Sequence, residues 1–146
     1  MNDLTLKTSE GTLNIRVAAW IEKEGHLLVS IFPDGKISLP GGRLTFSETT
    51  LAGICREILE ETGEALIEPK LWAIIENFFL HEQASYHEFL YIYRGTIAEQ
   101  THYARNSQEQ SITWLSIEEI DTLKPTCLQK LRFADTTSLI HLINRD

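Results

Sequence analysis

The amino-acid sequence predicts an α/β fold of the α+β kind, with a mixed central sheet between helical layers. Three observations carry that prediction. Leu66 to Leu80 and Glu88 to Tyr93 are almost continuously apolar, as strands covered on both faces are. Glu48 to Thr62 repeats its apolar residues at three- and four-residue intervals, the period of a helix. Helical stretches are interspersed with strands along the chain, which sets helices against a sheet. At 146 residues the chain is expected to form one domain, 1–146. A chain of this length buries roughly two thirds of its unfolded surface and needs no disulfide or metal staple.

Taken in order, Leu13 to Ile21 and His26 to Ile31 read as strands joined by the turn Glu22-Lys23-Glu24-Gly25, a hairpin pattern. Pro33-Asp34-Gly35-Lys36 is a second turn. The short strand Ile37 to Leu39 runs into Pro40-Gly41-Gly42. The helix from Glu48 carries Leu51, Ile54, Cys55, Ile58 and Leu59 on one stripe. Thr45 with Glu48 has capping-box spacing, Ser47 is an alternative N-cap, and Gly63 is the C-terminal stop. Pro69 sets the next strand to begin after it. Glu99 to Gln110 is polar and reads as a loop, and Ser111 to Leu115 as a short strand. Ser116-Ile117-Glu118-Glu119 is a capping box opening a short helix. Pro125 to Ile143 is expected to close the chain as a helix, with Leu128, Leu131, Leu139, Leu142 and Ile143 on its apolar stripe.

Composition removes several function classes. The chain is 42% hydrophobic and has thirteen aromatic residues, which excludes disorder throughout. Its longest apolar run, Leu71 to Leu80, contains Glu76 and Asn77 and falls short of the ~20 residues of a membrane span. No basic region followed by an apolar stretch opens the sequence, so a cytoplasmic protein is expected. Cys55 and Cys127 fit neither a disulfide framework nor a zinc spacing. The net charge of −8 argues against gripping nucleic-acid backbone, yet it permits a nucleotide substrate if divalent cations stand between two anions.

Glu57, Glu60, Glu61 and Glu64 stand at relative positions 0, 3, 4 and 7, one face of a helix. Neighbouring charges there repel by about 1 kcal/mol in water and about 4 kcal/mol at intermediate screening. They also crowd the negative end of the helix dipole, where stability alone favours Lys or Arg. A solvated acidic face accounts for a lone Glu pair. Three or four such residues beside a Gly-Gly turn point instead to a site for hard divalent cations, Mg²⁺ or Mn²⁺, which prefer carboxylate oxygen.

Gly42, five residues, Glu48, seven residues, then Arg56-Glu57-Ile58-Leu59-Glu60-Glu61-Thr62-Gly63 closely resembles the Nudix box, 42–64. Seven fixed identities match and Ile58 fills the first aliphatic position. Chance gives such a match about once in a hundred million starting positions at ordinary residue usage. Glu64 departs from the final aliphatic position, where Leu66 can take over the packing. Thr45 and Ser47 stand where a Glu and a Gly are often found. The order of elements over nearly the whole chain is similar to a minimal Nudix hydrolase, whose α/β/α sandwich the resemblance implies.

What the resemblance implies is a Mg²⁺-dependent pyrophosphohydrolase, Mn²⁺ being an alternative cation. Its substrate would be a nucleoside diphosphate linked to a group X. Glu60 and Glu61 would be the principal metal ligands, with the Gly41 carbonyl as a backbone ligand. Glu57 would be a third ligand or the general base, Glu48 would support the loop–helix geometry, and Arg56 would orient the carboxylates. Glu109 is a second candidate base, because some relatives carry one in the loop before Trp114. Substrate signatures are mostly absent: Phe79 and Leu80 occupy the place of a Pro common in relatives acting on ADP-ribose, and no Tyr follows until Tyr86. A nucleoside triphosphate or other small nucleotide therefore ranks first. A homodimer is a further expectation. The alternative is a non-catalytic nucleotide-sensing or protein-binding module; such modules usually lose box carboxylates, and this chain has lost none.

Other polar and aromatic residues stay open at this point. Glu76 and Glu88 lie in apolar strands, where a carboxylate must be paired or face a ligand. Trp20, Phe46, Phe79 and Tyr86 could stack on a base. The histidines show no metal spacing, and Cys55 reads as a small core residue.

Overall fold

Backbone hydrogen bonding sorts the strands into two mixed sheets. The computed structural model describes residues 2–98, the backbone of 105–106, and 110–146. In chain order the elements are β1 (Thr5–Thr8), β2 (Gly11–Trp20), β3 (Glu22–Lys23), β4 (His26–Ile31), β5 (Ile37–Ser38), β6 (Gly41–Arg43) and α1 (Thr50–Thr62). There follow β7 (Ile67–His81), β8 (Ala84–Thr96), β9 (Arg105–Asn106), β10 (Ser111–Ser116), β11 (Leu123–Lys124) and β12 (Ile140–Arg145). Two 3₁₀ helices, Ile117–Thr122 and Thr126–Phe133, flank β11.

The larger sheet has the order β1-β2-β8-β7-β12, with β6 paired to part of β2. Its β2–β8 and β7–β12 pairs are parallel, and β7–β8 is a long antiparallel hairpin. The smaller sheet runs β11-β5-β4-β10-β9, with β3 beside β4. Alternation along β2 feeds two cores. Val17 and Ala19 face α1 and pack with Ile54, Ile58 and Leu66. Ala18 and Trp20 face the 3₁₀ segments and pack with Trp72, Leu128 and Leu131. Helical turns therefore cover opposite faces, and the α+β class is as the sequence predicts.

Several local expectations are corrected. Pro125 to Ile143 is not one helix: it is a 3₁₀ helix, an irregular stretch and the strand β12 beside β7. The turn at Glu24-Gly25 is real, but it joins β3 to β4, while β2 belongs to the other sheet beside β8. Pro69 lies inside β7, where the pairing register slips between Ile67 and Lys70, and such irregularities are where Pro is tolerated. Helix α1 is capped by Thr49, whose side chain accepts from the Ala52 N–H, rather than by Thr45 or Ser47. Gly63 ends it in the left-handed conformation at φ 76°, with its N–H donating to the Leu59 carbonyl. Ser116 Oγ caps the first 3₁₀ helix by accepting from Glu118 N–H. Most of the predicted loop 99–110, Glu109 included, lies outside the described residues.

Candidate active site

Two pieces of backbone frame the site: β6, hydrogen-bonded along β2, and the C-terminal half of α1 packed against it. The connection between them folds on itself. Glu48 Oε1 accepts from both the N–H and the hydroxyl of Thr45, at 3.1 and 3.0 Å. The Thr45–Glu48 spacing thus does make a local cap, but it lies just before the helix rather than at its end.

Arg56 is the hub. Its Nε donates to Glu48 Oε2 at 2.7 Å and its Nη2 to Glu48 Oε1 at 2.9 Å, a bidentate pairing. From Nη1 it reaches Glu57 Oε1 at 2.9 Å and, at 3.4 Å, both oxygens of Glu60. Nη2 also donates to the Arg43 carbonyl at 3.3 Å, which ties the helix to β6. These bonds hold the Glu48 carboxyl down at about 2, the Arg56 pairing being the main cause against the opposing cost of burial.

The predicted glutamate face divides by burial. The Glu60 side chain is 58% exposed, whereas that of Glu57 is 14% exposed. Burial raises the Glu57 pKa, and Glu60's charge adds to that, against the pull of Arg56. Glu61 carries the larger conflict: burial pushes it up to about 7. Its Oε1 accepts from Gln110 Nε2 at 2.9 Å and it takes a backbone bond from Gly41, both of which lower its pKa, while the Glu57 charge raises it. Glu61 Oε2 is buried with no hydrogen-bond partner among the described residues. Glu64 leaves the face, because the helix has already ended at Gly63.

Two glycines allow this approach. A Cβ on Gly41 would run into the Val17 carbonyl, and one on Gly42 would stand 2.5 Å from Glu57 Oε1. Only bare backbone lets the Glu57 carboxylate sit against β6.

The donor set fits a hard divalent cation. Two desolvated carboxylates, one with an orphaned oxygen, flank a glycine backbone, and a cation would satisfy both. Among the described residues no three Asp, Glu, His or Cys side chains form a complete metal-binding group. Backbone oxygen, water and substrate phosphate would complete the shell, as is usual for Mg²⁺.

Beside this cluster opens a cavity of about 750 Å³, reaching from Gly41 and Arg16 past Phe32 and Phe79 to Asn77 and Asp146. Asn77 was not singled out by the sequence. It is buried, and its Oδ1 accepts from Asn144 Nδ2 at 2.9 Å. Glu88 lines the cavity and accepts from Asn14 Nδ2 at 2.9 Å, whereas Glu76 pairs with His141 at 2.6 Å. Of the aromatic candidates, Trp20 is wholly buried in the core and Phe46 is exposed outside the cavity, which leaves Phe79 with its neighbour Tyr86. Cys55 packs at the margin of the core under α1. No helix among the described residues is long and apolar enough to cross a membrane.

Comparison with known proteins follows the same lines. The model of the NUDIX domain matches residues 12–135. No curated protein matches the chain. The mutator MutT protein from Bacillus halodurans superposes with a TM-score of 0.69 at 18% identity, over 88% of this chain and 89% of that one. For the MutT protein from Methanosarcina mazei Go1 the TM-score is 0.62 at 26% identity, over 86% and 94%. An ADP-ribose pyrophosphatase from Streptococcus suis gives 0.61 at 18% identity, over 88% and 98%.

Proposed function

The chain belongs to the Nudix family of hydrolases acting on phosphorus-containing anhydrides, and from that premise we propose that it is a Mg²⁺-dependent pyrophosphohydrolase, with Mn²⁺ as a substitute. The substrate is a nucleoside diphosphate linked to a group X, with a nucleoside triphosphate or other small nucleotide first in rank. One domain, 1–146, carries the reaction, and a homodimer is checked by sedimentation against the 16.7 kDa mass of the chain. The ADP-ribose pyrophosphatase among the similar structures is in keeping with a nucleoside diphosphate derivative as substrate.

The observation that carries this reading is the buried Glu61 Oε2, without a hydrogen-bond partner among the described residues, beside a largely buried Glu57, at the glycine strand where the cavity begins. Glu57 and Glu61 would hold the cation from the buried side, with Glu60 from the exposed side and the Gly41 carbonyl from the backbone. When bound, the cation neutralises charge developing on phosphate oxygen and acidifies a coordinated water. Arg56 fixes the Glu57 carboxylate in place, and Glu48 fixes Arg56. Where Glu57 is not a ligand, it would act as the general base that takes the proton of the attacking water, Glu109 being the other candidate. The new P–O bond then forms as the anhydride P–O bond breaks, and the leaving phosphate departs with its electron pair.

The test is phosphate or pyrophosphate release from a nucleotide panel, with and without Mg²⁺, for the wild type, Glu60→Gln and Glu61→Gln. Metal-dependent turnover lost in both variants supports the reading. Turnover in the presence of chelator, or retained by both variants, rejects it.

A further inference from the structure

A basic recess adjoins the acidic cluster. It has a volume of about 320 Å³, and Arg16, Lys36, Arg43 and His81 line it together with the Phe79–Tyr86 pair. Those two rings are stacked, 5.1 Å between centroids and 7° from parallel. The recess shares Arg16, Lys36, Phe79 and Glu88 with the larger cavity that begins at Gly41.

Three permanent cations converge here in a chain of net charge −8. Like charges gathered around one hollow repel unless an anion lies among them. The protein's own anions answer this only in part. Asp3 pairs with Arg43 at 3.2 Å, Glu88 reaches Arg16 at 4.0 Å, beyond hydrogen-bond range, and Glu57 and Glu61 attract Arg16 from the carboxylate cluster without an ion pair. Among the described residues Lys36 Nζ has no carboxylate within ion-pair distance.

Glu88 is buried and fixed from behind, since Asn14 Nδ2 donates to its other oxygen and Thr5 Oγ1 donates to Asn14 Oδ1. It holds Arg16 at the recess by charge without a hydrogen bond between the two side chains. Arg16 stands opposite Arg43 across the β2–β6 pair, and the Arg43 carbonyl is bonded to Arg56. The recess and the carboxylate cluster are therefore parts of one rigid frame, on either side of β6.

We propose that the recess binds a phosphate-bearing group lying beyond the scissile anhydride. The enzyme then prefers a nucleoside triphosphate, or a nucleoside diphosphate whose X is itself phosphorylated, over one whose X is an uncharged sugar. The assignment of substrate rests on the reading of this cleft as a pyrophosphohydrolase site. Arg16 and Lys36 act as specificity-determining residues, because a terminal phosphate offers the oxygens that their N–H groups lack.

The first measurement is a calorimetric titration of chelator-treated protein with inorganic pyrophosphate at low salt. One equivalent is expected to bind, about tenfold or more weakly in Arg16→Gln and in Lys36→Gln, since each removes a charged hydrogen bond. Circular dichroism and a Mg²⁺ titration confirm that each variant is folded. The second is the ratio of kcat/KM for a nucleoside triphosphate to that for a nucleoside diphosphate sugar. It is expected to fall about tenfold in each variant, through KM on the triphosphate. Unchanged pyrophosphate affinity in folded variants, or an unchanged ratio, overturns the proposal. Pyrophosphate bound through Arg16 and Lys36 by a protein that hydrolyses no nucleotide keeps the anion site and overturns the pyrophosphohydrolase reading with its substrate assignment.

Discussion

Glu61 and Glu48 stand at opposite ends of one electrostatic argument. Glu61 has a carboxyl raised from 4.5 to about 7 by burial, so the metal-free fold holds that proton more tightly than the unfolded chain does. Its contribution is therefore present below pH 4.5 and lost as pH climbs through 7, by about 3 kcal/mol at 1.36 kcal/mol per pKa unit. In chelator, Glu61→Gln is expected to be more stable than the wild type at pH 8 and close to it at pH 5. It should also gain nothing from Mg²⁺ and lose at least about a hundredfold in turnover. Thermal melts at the two pH values check this, and a variant no more stable than wild type at pH 8 would contradict it. Glu48 has the reverse sign. Its carboxyl is held at about 2 by Arg56, so its contribution is present above pH 4.5 and lost as pH falls toward 2. Glu48→Gln should flatten that acid limb, measured by urea unfolding between pH 2.5 and 5. The spacing of the glutamates was legible because the helical period puts them on one face. The difference between Glu60 and Glu61 was not, because it depends on Gly41 and Gln110, distant in sequence.

At the level of the elements, the junction of β6 with α1 separates activity from stability. Alanine at Gly42 would place its Cβ 2.5 Å from Glu57 Oε1, where the carboxylate can swing aside but leaves its position on Arg56. Gly42→Ala is expected to lose about tenfold or more in kcat while its melting temperature barely moves. Alanine at Gly53 meets Leu44 Cδ1 in the core and stands 3.1 Å from Glu48 Oε1. There the gain in helix propensity, about 1 kcal/mol, competes with overpacking of about 1–3 kcal/mol. The expected outcome of Gly53→Ala is a net loss of stability, seen as a lower urea midpoint. Equal effects of the two substitutions on both readouts would contradict this division. The helix was readable from Ile54 and Ile58, and its end from Gly63, since these are local signals. Its start is harder to read, because Thr45 and Glu48 do make cap-like bonds before the helix, and only Thr49, with its bond to Ala52, distinguishes the true first turn. Strand β1 gave no signal, because its edge position leaves most of it exposed and frees it from any apolar pattern.

Across the whole molecule, the C-terminal segment shows where local pattern and global fold part company. Leu128 and Leu131 belong to a 3₁₀ turn covering one core, and Leu139 to Ile143 belong to the approach and body of β12. Their combined spacing imitates one helical stripe, yet Asp135-Thr136-Thr137-Ser138 breaks the chain between them. From Ile140 onward every second residue turns inward, which is the period of a strand. Asn144 makes this arrangement specific. Its amide donates to Asn77 on β7, and its Oδ1 accepts from Thr126 Oγ1 and from the Cys127 N–H. One buried side chain thus joins the edge strand, the central hairpin and the 3₁₀ layer at the inner end of the cavity. Asn144→Leu removes all three bonds and leaves the Asn77 carbonyl and the Cys127 N–H buried without partners. The expected cost is about 2–6 kcal/mol, at 1–3 kcal/mol for each of the two orphaned groups. Because Asn77 lines the cavity, KM should rise while kcat, set by carboxylates on the far side of β6, stays within about twofold. Urea unfolding and steady-state kinetics on the same preparation test both halves. A stability change below about 0.5 kcal/mol would show that β12 is held by backbone pairing alone.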